Sequence, residues 1–119
     1  MSLEKNKELV SRLLERTRRR MVDWKEAADR GFQVSFRNSS IKLQELESRE
    51  FNSEYLVSLV NAAGEVADSF TDGELDFSEI DQKWHGALQE IYNLALRHAR
   101  GADEVLDNLL SELDDDIPF

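Results

Sequence analysis

Apolar positions along the chain change their spacing twice, dividing it into helical, extended and again helical stretches. From Leu3 to about Val22, Leu9, Val10, Leu13, Leu14, Thr17 and Met21 follow the helical repeat, and Ser2 is placed to cap the start. Phe32, Val34 and Phe36 then alternate with Gln33, Ser35 and Arg37, the two-residue period of a half-buried strand. Asn38-Ser39 suits a tight turn, after which Ile41 and Leu43 continue the alternation. Tyr55 to Val60 is apolar on both faces, as a central strand would be. Asn61-Ala62-Ala63-Gly64 predicts a hairpin turn into Val66–Phe70.

The helical period returns after Asp76, where Ile80, Trp84, Leu88, Ile91, Leu94, Ala95 and His98 share one face and Gly101 occupies a C-cap position. Val105, Leu106, Leu109, Leu110 and Leu113 are in register on a last short helix. The expected fold is α+β. It has an N-terminal helix, a meander of about four antiparallel strands, and two C-terminal helices packed with the first on one sheet face. Residues 1–113 form the expected single domain, and 114–119 a short disordered acidic tail that the last helix presents like a stalk.

Composition agrees with one modest globular domain: 119 residues, 40% hydrophobic and 34% charged. The absence of cysteine excludes disulfides, thiolate metal sites and a thiol nucleophile, and suits a reducing cytoplasm. No apolar stretch approaches the roughly 20 residues that span a bilayer, and the opening MSLEKNKE is too polar for a secretory signal. The expectation is therefore a cytoplasmic protein without membrane contact.

Charge is uneven. Residues 1–30 carry nine Lys/Arg against six Asp/Glu, residues 31–100 six against twelve, and residues 101–119 none against seven, within a net charge of -10. An acidic body and tail argue against direct nucleic-acid binding and favour basic protein surfaces as partners. Arg12, Arg16, Arg18, Arg19 and Arg20 cluster on the outer face of the first helix. They predict a solvated face paired with Glu8, Glu15 and acidic neighbours elsewhere. The other readings are a phosphate-binding patch, or a resting place for the chain's own acidic tail.

The chain ends in Asp114-Asp115-Asp116-Ile117-Pro118-Phe119. This hexapeptide resembles the C-terminal tip of bacterial single-stranded-DNA-binding protein (SSB), which recruits replication and repair enzymes. A terminal Phe joins an apolar ring to a carboxylate, so a pocket with an apolar floor and a basic lip can take both. Pro118 lowers the entropy lost on docking, Ile117 adds apolar area, and the three aspartates steer the tip to a basic rim. Affinity should be micromolar, roughly -8 kcal/mol. The resemblance implies partner-binding roles for these six residues on proteins with an SSB-tip pocket. It stops at the tip: the body lacks the aromatic-bearing strands of an OB-fold and the family's long Gly/Gln/Pro linker. A regulatory or oligomerising domain, with a homodimer face as its working surface, is the alternative.

A second resemblance lies inside the chain. Asp68 to Glu79 is similar to an EF-hand calcium loop, with Asp68 at position one, Asp72 at five, Gly73 at six and Glu79 at twelve. Phe70 stands where position three needs an oxygen. The competing reading makes Asp72-Gly73 a turn after a strand and Phe70 a core residue. Catalytic signals are few. His85 and His98 are thirteen residues apart on one helix, His85 at the core edge and His98 near the C-terminal dipole. No nucleophile elbow, phosphate loop or zinc spacing occurs, and Trp24 and Trp84 suit core anchors. The chain is therefore expected to be non-enzymatic and without a cofactor.

Overall fold

A computed structural model describes residues 3–46, 54–77 and 83–114. Ser2, Glu79, Ile80 and Asp115–Phe119 lie outside the described residues. The elements run α1 (Leu3–Arg18), β1 (Lys25–Ala27), β2 (Gly31–Ser35), β3 (Ser40–Leu46), β4 (Glu54–Val60), β5 (Val66–Thr71), α2 (Asp72–Leu75), α3 (Lys83–Arg100) and α4 (Ala102–Asp114). The fold is α+β. Its sheet has the order β1-β2-β3-β4-β5 with every neighbouring pair antiparallel.

Five strands replace the expected four. The addition, β1, is a three-residue edge strand that pairs Lys25 with Gln33 and Ala27 with Gly31. Its side chains are mostly exposed, so it carries no apolar alternation to announce it. Gly31 is required by close approach: a Cβ there would lie 3.1 Å from the Ala28 carbonyl oxygen and 3.0 Å from Gln44 Cγ.

Helix α1 stops at Arg18, short of Val22. Arg20 takes a left-handed backbone (φ 57°), Met21 N–H donates to the Arg16 carbonyl at 2.9 Å, and Arg20 N–H donates to that of Thr17 at 3.1 Å. These two bonds are the paired C-terminal closure of a Schellman motif. Met21, expected on the buried face, is consequently exposed.

The core lies between α1, α3 and one face of the sheet. Phe32, Leu43, Val57 and Phe70 stand directly across from one another on successive strands and are all at most 3% exposed. Leu88, Ile91 and Ala95 of α3 and Val10, Leu13 and Thr17 of α1 are buried. Burial of each large aliphatic side chain contributes about 1.5–3 kcal/mol. Both tryptophans are core anchors, and the Trp24 indole N–H donates to Thr17 Oγ1 at 3.1 Å. Tyr92 of α3 meets Phe32 edge-on at 5.2 Å.

The hairpin predicted at Asn61–Gly64 is present. Asn61 Oδ1 accepts from the N–H groups of Ala63 and Glu65, each at 3.0 Å, and Gly64 takes φ 81°. At the other boundary of the sheet, Asp76 caps α3: its two carboxylate oxygens accept the N–H groups of Trp84 and His85, both at 2.9 Å. Gly101, with φ 66°, closes α3 as expected and links it directly to α4. No helix among the described residues is long and apolar enough to cross a membrane.

Candidate functional site

Burial on the inner sheet face falls off along the strands. The row through Leu43 and Val57 is sealed, but one step on, Leu59 beside Ile41 is only partly covered. A further step along that face, Phe36 is 47% exposed, although its alternation with Phe32 and Val34 predicted burial. The helices simply do not extend over this end. What remains is an open groove of about 690 Å³ between α1 and the β2–β5 end of the sheet.

Leu9, Leu13, Phe36, Ile41 and Leu59 give the groove an apolar lining, while Arg12 and Arg16 of α1 stand at one side and Asn38 and Asn61 at the other. Arg12 makes an exposed pair with Glu8 at 2.6 Å, and Arg16 has no ion pair among the described residues. Among the described residues, no carboxylate or histidine lines the groove. Its chemistry suits an apolar surface flanked by negative charge.

Helix α4 presents the complementary features. Val105, Leu106, Leu109, Leu110 and Leu113 fall on one side of the helix, and each is 50% to 66% exposed. None of its residues is buried. Asp103 fixes its first turn through ion pairs with Arg97 at 2.6 Å and Arg20 at 2.7 Å. The hydrogen bond from Arg97, with Arg20 nearby, holds the Asp103 carboxyl below the usual carboxylate range.

The remaining arginines of α1 follow the solvated-face reading. Arg18 grips Glu90 of α3 through two nitrogens, at 2.5 and 2.7 Å, and Arg19 pairs with Glu15 at 3.1 Å. Arg18 thereby lowers the Glu90 pKa. Four of the five clustered arginines have acidic partners within the fold.

In the calcium-like segment the strand and the core Phe70 of the competing reading are present, but Asp72-Gly73 opens the short helix α2 in place of the expected turn. Asp68 lies in β5 opposite Leu59, and Phe70 is a core residue at 2% exposure. Asp72 begins α2 and is buried, accepting the Tyr55 backbone N–H with one oxygen and meeting His85 Nδ1 with the other. In this structure Asp68–Thr71 is extended and Asp72 is engaged by Tyr55 and His85, an arrangement unlike the curled loop that binds calcium. Glu79 lies outside the described residues. No cluster of three or more metal-ligating side chains occurs among the described residues.

The histidines are apart. His85 joins Asp72 below the α3 N-terminus, whereas His98 is half-buried at the far end, where burial and then Arg20 lower its pKa. Of the six tip residues, Asp114 is described, exposed at the last position of α4; Asp115, Asp116, Ile117, Pro118 and Phe119 lie outside the described residues. Comparison with family models, curated proteins and solved structures gives no match.

Proposed function

We propose that this protein is a non-enzymatic interaction module whose C-terminal hexapeptide, Asp114 to Phe119, docks on replication, recombination or repair proteins that hold an SSB-tip pocket. The Phe119 ring fills that pocket and its terminal carboxylate meets a basic residue. Ile117 and Pro118 pack beside the ring, and Asp114, Asp115 and Asp116 face the basic rim. The observation that supports this reading is the exposure of α4 from Glu104 to Asp114, which leaves the start of the motif accessible.

The test is displacement of a fluorescent DDDIPF peptide from a repair enzyme that binds the SSB tip. The full chain should displace it at micromolar concentration, on the order of -8 kcal/mol, and a chain lacking Phe119 should not. Failure of the full chain to displace the peptide would refute the proposal.

A further inference from the structure

We propose that two copies of this chain form a reciprocal dimer in which α4 of each occupies the apolar groove of the other. The two surfaces are separate, and among the described residues neither is covered. The groove offers Leu9, Leu13, Phe36, Ile41 and Leu59; α4 offers a continuous face from Val105 to Leu113. Exposed apolar faces of this kind are uncommon on monomeric proteins unless something covers them.

Charge selects the pairing. Arg12 and Arg16 border the groove. Helix α4 carries Asp103, Glu104, Asp107, Glu112 and Asp114 without a single basic residue. Asp107, Glu112 and Asp114 have no ion pair among the described residues. Two acidic α4 helices packed on each other would instead bring like charges together along the seam. The helix–groove contact joins opposite charges around an apolar centre.

Geometry favours a second copy as occupant. Only Gly101 separates α3 from α4, and Asp103 anchors the first turn of α4 to both Arg97 and Arg20. The helix is held in that direction with its apolar face exposed among the described residues. A helix of 13 residues is about 20 Å long. Exchange by a twofold axis makes the contact twice and closes the assembly, covering two helices and two grooves. Stable pairs typically cover about 1,200–2,000 Å² in total, which the two contacts would have to supply together.

Sedimentation velocity on the full chain, from about 1 to about 200 µM, tests this because mass action favours the dimer as concentration rises. The expected species has twice the 13.7 kDa chain mass. The helix variant Leu106→Glu/Leu110→Glu and the groove variant Arg12→Glu/Arg16→Glu change exposed side chains. Circular dichroism melts would check that both retain the fold. Each alone should raise the dimer dissociation constant at least tenfold. An equimolar mixture should recover a dimer, because one intact helix then faces one intact groove.

A wild-type chain that stays monomeric throughout would overturn the proposal. So would a dimer insensitive to the groove variant, the result for α4–α4 pairing, or a mixture that recovers no dimer. None of these outcomes bears on peptide displacement by Phe119, so the two proposals fail independently.

Discussion

Asp72 Oδ2 lies 2.5 Å from His85 Nδ1, joining the start of α2 to the first turn of α3, while Asp72 Oδ1 accepts the Tyr55 backbone N–H at 2.9 Å. One buried carboxylate thus ties β4, α2 and α3 together. Asp72→Ala would leave the Tyr55 N–H without its acceptor, at a cost of about 1–3 kcal/mol. Thermal unfolding should show a loss of several degrees for Asp72→Ala and a smaller one for Asp72→Asn, which keeps an acceptor oxygen. Equal losses would count against the hydrogen bond to Tyr55 as the main contribution.

Gly31 should not tolerate a methyl group. The Ala28 carbonyl oxygen and the Leu43 carbonyl oxygen would lie 3.1 and 3.3 Å from the new carbon, and both belong to the backbone. Gly31→Ala should destabilise by about 1–3 kcal/mol through overpacking. Urea unfolding would measure it; an unchanged midpoint would show that the strands separate freely there.

Acidification should lower stability in two steps. His98 has a lowered pKa in the folded chain, so below its ordinary value of about 6.5 the unfolded chain binds the extra proton first. Glu90 and Asp103 are held low by Arg18 and Arg97, so their contribution is present above the ordinary carboxylate range. It is lost as pH falls through their lower folded-state values. The carboxylate step should be small, since the ion pairs are exposed. Salt should blunt the carboxylate step more than the burial-driven one. Melting temperatures across pH for the wild type and His98→Gln check this: the variant should lose the upper step alone.

The only two tyrosines, Tyr55 and Tyr92, both ionise late. Burial is the main cause for each, and Glu45 adds to it; Tyr55 is pushed up to about 12. An absorbance titration of the folded chain should therefore show no phenolate step at about 10, the ordinary value. As pH rises from there, the unfolded chain loses protons that the folded chain keeps, so stability declines. Tyr55→Phe should flatten that decline. A normal titration of both phenols would contradict their placement.

The elements with a strong internal period were legible in the sequence: α1, α3 and α4 from their helical repeats, and β2 to β5 from alternation or apolar runs. β1 escaped because its only determinant is pairing with β2, and α2 because one turn is too short to show a period. The candidate sites divide in the same way. The amphipathic pattern of α4 predicts a helix but cannot say whether another surface covers its leucines. The groove was beyond reach, since it joins α1 to several strands, and Phe36 has the same alternation as its buried neighbours. Asp72 stood out on the pattern of a calcium loop. Its partner His85 is thirteen residues away, and only the packed fold brings them together.

The meander and the helical layer impose different demands on a chain being synthesised. Every strand pairs with its neighbour in sequence, so the sheet can begin to assemble from local contacts. The layer over it cannot: Arg18 reaches Glu90 across 72 positions, Arg100 reaches Glu26 across 74, and α1 packs on α3. An emerging chain should therefore carry a partly formed sheet with its inner face wet until α3 has left the ribosome. That interval is when Phe32, Leu43, Val57 and Phe70 would be open to chaperones or to mispairing with other chains.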